Sequence, residues 1–381
     1  MRQMLAVAAL AAALCVGVAA QEGDALLLLD FEEGPEGFFS IDPGTSVSAT
    51  ADPELAHSGS GALQVQYMQR AMTVGGGGSG FPGAVVLPLM EPFEELGTVS
   101  FAIASELSTP VVVVLTEGPD GPRYNCMLWC AAGAWHEYSL SLHEFTFDLD
   151  GPPDPNETLD PGEVSVVAIF DADAFLRVIG QSTELFHVEP PEEQTLRLDD
   201  FRLLGEEPEV TPEADGAVTI ATYQRPLRGF TCVGGQDVVA EAEELEGGGS
   251  ALRLDYTIPE RTLFAVMHPA RRGSLAGMEA IRFQGRTNRE VTLIISLEEK
   301  RGPGDENKSS YNATVPLMPG EGWETISAHI SSFSLGDDQT DPNGALDMDL
   351  VHTVTIGDAT AVLEGAEVLN SLWLRDLVAV R

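Results

Sequence analysis

One short stretch concentrates the residues best suited to grip a small polar ligand. Arg123–Cys130 reads RYNCMLWC, and a period of two divides it into two faces. Tyr124, Cys126, Leu128 and Cys130 share one face, while Asn125, Met127 and Trp129 share the other. The first set corresponds to Tyr311, Ala313, Val315 and Leu317 further along the chain, which are mostly apolar, so that face is expected in the core. Trp129 then becomes a candidate platform. An indole face supplies apolar area, and polar groups beside it orient a hydroxyl-bearing ligand. Gln64, Gln66 and Asn125 are the expected polar partners. The corresponding later positions are Arg253, Asp255 and Asn312, with no matching aromatic, so a ligand there would be held differently.

Catalytic patterns are poor by comparison. The sequence has no HExxH helix, Walker loop or CxxC pair. His57-Ser58 lies in a glycine-rich turn without the G-x-S-x-G of a nucleophile elbow. Gly75–Gly80 (GGGGSG) lacks the lysine of a phosphate loop and reads as a plain loop. Paired carboxylates cannot be singled out among sixty acids. Cys126 and Cys130 are four residues apart in a strand-like stretch, about 13 Å, whereas a disulfide needs Cα atoms roughly 4.4–6.8 Å apart. They read as small buried apolar residues.

The elements that must position these residues are strands. Leu63, Val65 and Tyr67 alternate with Gln64 and Gln66; Leu252, Leu254 and Tyr256 alternate with Arg253 and Asp255. Tyr138, Leu140 and Leu142 alternate with Ser139 and Ser141. Alternation with one polar face means half-buried antiparallel sheet. Val111–Leu115, Val164–Phe170 and Leu293–Leu297 are continuous β-rich runs, punctuated by turn clusters at Gly118–Pro122, Gly151–Pro155 and Gly302–Asp305. Helical candidates such as Val238–Leu245 are short.

The chain of 381 residues is one domain written twice. Gly61-Ala62-Leu63 matches Ser250-Ala251-Leu252, Tyr124-Asn125 matches Tyr311-Asn312, and Asp154-Pro155-Asn156 matches Asp341-Pro342-Asn343. Glu36-Gly37-Phe38 matches Arg228-Gly229-Phe230, and Leu198-Asp199-Asp200 matches Leu374-Arg375-Asp376. The offset stays between 187 and 192 residues until it falls to 176 near the ends, which implies a longer loop in the first copy around Glu189–Gln194. Such a period is whole-domain duplication rather than a solenoid. Trp135 and Trp323 recur at matched positions and are expected in the two cores.

Met1–Ala20 has the form of a secretion signal: Arg2, the apolar run Leu5–Val18 and small residues before Gln21. The expected organisation is therefore a signal peptide at 1–20, a first module at 21–205, an acidic linker at 206–216 and a second module at 217–381. No later apolar run is long enough for a helical membrane span. The expected fold is all-β, two tandem antiparallel β-sandwiches, on a chain that is secreted, periplasmic or at the cell surface.

Sixty Asp and Glu against twenty Lys and Arg give a net charge of −40. That excludes most nucleic-acid and anionic-membrane roles, which need a cationic surface. The charge is uneven: residues 1–205 hold 6 basic and 31 acidic side chains, and residues 206–381 hold 14 and 29.

The order of features in the first copy resembles jelly-roll carbohydrate-binding modules of the galactose-binding-like fold, and is similar to complex I intermediate-associated protein type domains. The segments that carry the likeness are Leu29-Asp30-Phe31-Glu32, His57–Leu63, Trp135–Phe145 and Leu196–Leu203. The resemblance implies a non-catalytic protein that binds polysaccharide or oligosaccharide. The alternatives are a structural or adhesive surface protein that binds other proteins and, further off, a polysaccharide-acting enzyme on a β-sandwich. It also implies a structural calcium in the first module, with Asp30, Glu32 and Asp200 as ligands. In the second module Thr222 and Gln224 replace the first two and only Asp376 survives, so no calcium is expected there.

Overall fold

A computed structural model of the chain describes residues 25–72, 80–205, 216–246, 248–302, 309–337 and 339–381. The expected leader at 1–20, residues 206–215 of the linker and Gly75–Ser79 lie outside them. Of the described residues, those up to Val178 and from Pro190 to Gly205 make a first compact unit; Ile179–Glu189 and those from Gly216 onward make a second.

The first unit comprises β1 (Ala25–Leu29), β2 (Ser46–Thr50), β3 (Ala62–Met68), β4 (Val85–Pro88), β5 (Thr98–Ser105), β6 (Thr109–Glu117), β7 (Arg123–Cys130), β8 (Trp135–Ser141), β9 (Thr146–Phe147), β10 (Val164–Asp171), helix α1 (Asp173–Ser182) and β11 (Glu193–Leu204). One sheet has the order β2-β3-β11-β5-β8, with β1 also on β11; the other has the order β4-β10-β6-β7-β9. The second unit repeats this with β12 (Ala217–Ala221), β13 (Thr231–Val233), β14 (Gln236–Glu244), β15 (Ser250–Ile258), β16 (Phe264–Pro269), β17 (Ala280–Thr287), β18 (Val291–Glu299), β19 (Ser309–Leu317), β20 (Glu324–His329), β21 (Ser334–Leu335), β22 (Val351–Asp358), helix α2 (Thr360–Glu364) and β23 (Val368–Val380). Its sheets run β14-β15-β23-β17-β20, with β12 on β23, and β13-β16-β22-β18-β19-β21. Each unit is an antiparallel jelly-roll β-sandwich. Among the described residues no helix is long and apolar enough to cross a membrane.

The alternation seen in sequence decides the inside of each sandwich. Leu63, Val65, Tyr67, Tyr124, Cys126, Leu128 and Cys130 enter one core in the first unit. Leu252, Leu254, Tyr256, Tyr311 and Leu317 are buried in the second. Cys126, Cys130 and Cys232 are buried and form no disulfide, and burial pushes the Cys130 thiol up to about 12. Val238–Leu245 is no helix, because Gln236–Glu244 pairs along β15. Its Ala240 and Ala242 face inward between Glu241 and Glu243, a period of two rather than 3.6. The extra residues of the first copy begin earlier than Glu189. Ile179–Glu189 packs within the second unit, where the Leu263 N–H donates to the Leu185 carbonyl at 2.7 Å.

A buried carboxylate ties the two sheets together in each unit. Asp171, at the end of β10, accepts from Tyr67 Oη on β3 at 2.5 Å, from Gln69 Nε2 at 3.2 Å and from Thr109 Oγ1 at 2.5 Å. It also accepts the Asp173 N–H at 2.8 Å, which starts α1. Asp358 ends β22 in the same way, accepting from Tyr256 Oη at 2.9 Å, Asn370 Nδ2 at 3.0 Å and the Thr360 N–H that starts α2 at 2.9 Å. The matched turns are tied down by a second repeated contact. Tyr124 Oη donates to Asp154, and Tyr311 Oη donates to Asp341 at 2.8 Å.

Two core positions change chemistry between copies. Phe31 and Leu87 lie in the first core; register places Tyr223 and His268 at the matching positions. Tyr223 Oη bonds His268 Nε2 at 2.8 Å, and His268 Nδ1 faces the Val354 carbonyl at 3.3 Å. A carbonyl only accepts, so Nδ1 carries the proton and Nε2 accepts from the tyrosine. Burial pushes the imidazole down to about 4, with the Val354 bond opposing.

Two stability measurements check these contacts. Tyr67→Phe and Tyr256→Phe should each cost about 1–3 kcal/mol in urea denaturation, because a buried carboxylate loses a donor. A histidine whose folded pKa lies below its unfolded value contributes stability above about pH 6.5 that is lost as pH falls toward about 4. The unfolding free energy of the native chain minus that of His268→Gln should therefore fall by roughly 3 kcal/mol across that window.

Candidate ligand-binding faces

The sandwich leaves each sheet one outward face. On the β4-β10-β6-β7-β9 sheet, alternate residues place Val112, Val114, Ala168, Phe170, Asn125, Met127 and Trp129 outward. Val112, Val114 and Ala172 form an apolar cluster separate from the sandwich core, with Met127, Ala168 and Phe170 half-buried against it. The Phe170 ring meets Phe81 at 5.4 Å between centroids. Asn125 sits beside Val114 in the register and is half-buried.

Trp129 is not the expected platform. It is only 5% exposed, so no ring face is open to a ligand, and its backbone carbonyl accepts from Tyr138 Oη at 2.9 Å. Met127 and Phe170 hold the accessible apolar positions instead. Phe170 lay in a run read only as β-rich; its place opposite Val112 comes from long-range pairing. The expected polar partners also divide. Gln64 and Gln66 are on β3, in the other sheet from Asn125 and Trp129 on β7. The outward faces of two packed sheets point in opposite directions, so these four residues do not meet one ligand. Arg253 and Asp255 on β15 are separated from Asn312 on β19 in the same way.

The corresponding face of the second unit has a different surface. Register places Ser296 at the position of Val114, between Thr355 and Asn312. Glu298 lies between Thr353 and Ser310. Ser296 Oγ and Ser310 Oγ are 2.8 Å apart. Asn125 and Asn312 are the amide position common to both copies; around them the first copy is apolar and the second is hydroxyl-rich.

The carboxylates expected to bind calcium hold a loop instead. Strand β1 ends at Leu29, and Phe31 has a φ of 57°, so Asp30 and Glu32 do not follow strand spacing. Glu32 accepts from the Ser60 N–H at 2.6 Å, Ser60 Oγ at 2.5 Å and the Gly61 N–H at 3.0 Å. Its pKa is lowered by the Ser60 side-chain bond first, then by the two N–H groups. Asp200 accepts from His57 Nδ1 at 2.9 Å and Ser58 Oγ at 3.1 Å. Asp199, fully buried, accepts the His57 and Ser58 N–H groups at 2.9 and 3.0 Å. Asp30 accepts the Glu32 N–H at 3.2 Å. These carboxylates thus accept protein donors, and among the described residues no group of three His, Cys, Asp or Glu is arranged to hold a metal. The loop needs glycine: at Gly61 a Cβ would stand 2.5 Å from the Phe31 carbonyl oxygen, and at Gly59 it would stand 2.1 Å from Glu32. With Ser250 and Gln224 at the matched positions, the second copy lacks this arrangement.

The recurrent tryptophans are on the outside. Trp135 is half-buried with His57 5.6 Å from its ring, and His57 Nε2 faces Glu137 at 3.1 Å. Trp323 is half-buried against Arg286 and Arg375. Recurrence at these sites reflects a conserved place on the sheet face, not a place in the core.

No family model matches the sequence, and no curated protein matches it. Among solved structures, the chain is similar to the family 11 carbohydrate-binding module of a cellulosomal cellulase of Clostridium thermocellum, at 16% identity over 44% of this chain and 96% of that chain, with a TM-score of 0.34. It is also similar to the N-terminal CBM22-1-CBM22-2 tandem domain of Paenibacillus barcinonensis Xyn10C, at 13% identity over 96% of this chain and 100% of that chain, with a TM-score of 0.30. A family 30 carbohydrate-binding module of Clostridium thermocellum shares 10% identity over 37% of this chain and 80% of that chain, with a TM-score of 0.27.

The loop contacts give a direct check. Glu32→Ala should speed amide hydrogen exchange at Ser60 and Gly61 about tenfold, because each loses its acceptor, while the amides of β3 stay protected.

Proposed function

We propose that the chain is an exported, non-catalytic carbohydrate-binding protein whose two modules take polysaccharide or oligosaccharide on the outward faces of the β4-β10-β6-β7-β9 and β13-β16-β22-β18-β19-β21 sheets. The observation that carries this reading is the apolar cluster outside the first core. Val112, Val114 and Ala172 are buried within the protein, and the half-buried Phe170 and Met127 packed against them offer apolar contact to the C–H face of a sugar ring. Asn125 supplies donors and an acceptor for ring hydroxyls. In the second module Asn312, Ser296, Ser310 and Thr355 hold hydroxyls by hydrogen bonds alone. The half-buried residues of the first face, Met127, Ala168 and Phe170, can neither give nor take a proton, which supports a binding rather than a catalytic role for it. Export rests on the form of Met1–Ala20.

Affinity electrophoresis of the chain from Gln21 onward in gels containing individual polysaccharides tests the proposal. At least one glycan should retard it, and Phe170→Ala should weaken that binding about tenfold. No retardation in any glycan sinks the reading. Capture of another protein that sugars do not displace would favour an adhesive surface protein, and turnover of the polysaccharide would favour an enzyme. Calcium is tested separately. A cation at Asp30, Glu32 and Asp200 must displace the donors they now accept, so the expected result is the same melting curve in calcium and in chelator. A higher melting temperature with calcium would restore the ion.

A further inference from the structure

The outward face of the β14-β15-β23-β17-β20 sheet carries a ladder that the ligand faces above do not use. Strand register sets Glu241, Arg253, Trp373 and Arg286 side by side across β14, β15, β23 and β17. Trp323, immediately before β20, continues the row. The Arg253 guanidinium carbon stands 5.9 Å from the centre of the Trp373 ring, and that of Arg286 stands 4.3 Å from it. Arg286 is also 5.1 Å from the Trp323 ring, and Arg375 is 4.4 Å from it. Three cations and two indoles therefore alternate. The indoles are engaged by guanidinium groups, so they are poor platforms for a sugar.

The guanidinium groups are held in place but not used up. Arg286 donates to Glu243 Oε1 at 3.3 Å, and Trp373 Nε1 donates to Glu243 Oε2 at 2.7 Å. Arg375 Nε donates to the neutral Gln284 Oε1 at 3.1 Å. Arg253 pairs with Asp255 at 2.8 Å, and its buried Nε has no partner. Their side chains remain 42%, 22% and 25% exposed for Arg253, Arg286 and Arg375. Four acids share this face: Glu243 takes two donors, Asp255 takes Arg253 and Ser371 Oγ, Asp376 lies 3.6 Å from Arg375, and Glu241 stands exposed beside Arg253. A stacked guanidinium has already lost its rotamer freedom, which lowers the entropic cost of binding an anion, and its planar fork matches carboxylate or sulfate.

Comparison of the copies shows that they differ in this chemistry at particular positions. The matched residues of the first unit are Gln64 for Arg253, Ala104 for Arg286 and Asp199 for Arg375. In a chain of net charge −40, three positions of one sheet face are cationic in the second copy and not in the first, while Trp373 stands where the first copy has Arg197. Arg253 and Arg286 are two strands apart, about 10 Å, along a straight row. That arrangement suits an extended polymer with recurring negative groups.

We propose that this face is a second glycan surface, one that takes an anionic polysaccharide bearing carboxylate or sulfate groups. It rests on the carbohydrate-binding reading and adds a charge class and a separate surface to it. The full chain is run at low ionic strength in gels of a polyuronate, a sulfated dextran, an uncharged dextran or polyglutamate. Retardation by the polyuronate identifies carboxylate as the group, and retardation by the sulfated dextran identifies sulfate. Arg286→Gln and Arg253→Gln should each weaken that binding about tenfold, while Phe170→Ala leaves it unchanged. Added salt should weaken it further. Arg253 is the end of the ladder, so its variant decides the matter if Arg286→Gln lowers the melting temperature. Neutral-glycan binding without anionic binding overturns this inference alone, as does anionic binding indifferent to both arginine variants. Equal binding to polyglutamate makes the surface a site for acidic protein. Failure to bind any glycan overturns the underlying reading as well.

Discussion

A buried aspartate that joins two sheets is the interaction on which each unit turns. Asp171 and Asp358 are both 1% exposed, and such a carboxylate is costly unless donors surround it. The donors come from several directions: a tyrosine on the facing sheet, an amide side chain and the first N–H of the following helix. They can all be in reach only when β3 faces β10, or β15 faces β22, in one register. A strand side chain switches face with every residue, so a slip of one residue would bury the polar face and expose the core. The clamp therefore fixes the inside, and by fixing the inside it fixes what each sheet shows to solvent.

That division explains how two copies can keep one fold and present different surfaces. The contacts they share are internal or at turns: Tyr67 and Tyr256 on their aspartates, Tyr124 and Tyr311 on theirs, and the αL-region residues Asp200 and Asp376 on the last strands. What differs is outside. Val114 becomes Ser296, Met127 becomes Thr314, Gln64 becomes Arg253 and Asp199 becomes Arg375. Outward substitutions away from buried networks typically move stability by less than about 0.5 kcal/mol, so such positions can change ligand chemistry without endangering the fold. Asp199 is the exception, because it is buried and holds the His57–Ser58 turn. Its replacement by Arg375 accompanied loss of the whole loop arrangement, Glu32 and Gly61 included.

Much of this was legible in the sequence because it is periodic or repeated. Alternation placed Tyr124, Cys126, Leu128 and Cys130 inside, and matched motifs exposed the duplication. The ligand set was not legible. Alternation says that Gln64 and Asn125 both point away from a core, but two sheets have two outsides, and only long-range pairing tells which residue is on which. The same limit misplaced Trp129, whose parity is outward although its surroundings bury it. Trp323 was misjudged for a different reason: recurrence shows that a position matters but not whether its neighbours are aliphatic or guanidinium groups. Asp30 and Glu32 failed as a strand pair because the backbone leaves the strand at Leu29 and turns through the left-handed region at Phe31.

The Arg–Trp row illustrates what duplication makes available. In one copy, a sheet face that must satisfy Asp199 and its loop has little freedom to become cationic: an arginine there would leave two turn N–H groups without their acceptor. The second copy has Gln224 and Ser250 in place of Glu32 and Gly61, so its edge loop does not depend on a carboxylate at this position, and Arg375 stands there without cost to it. Arg286 then lies between two indoles where Ala104 had left space beside a single one. Each step reuses the row spacing that the clamp and the strand pairing already impose. The charge difference between the halves is thus not spread evenly as solubilising surface. Part of it is a line of oriented guanidinium groups, on the face of the second module that points away from its hydroxyl-rich sheet.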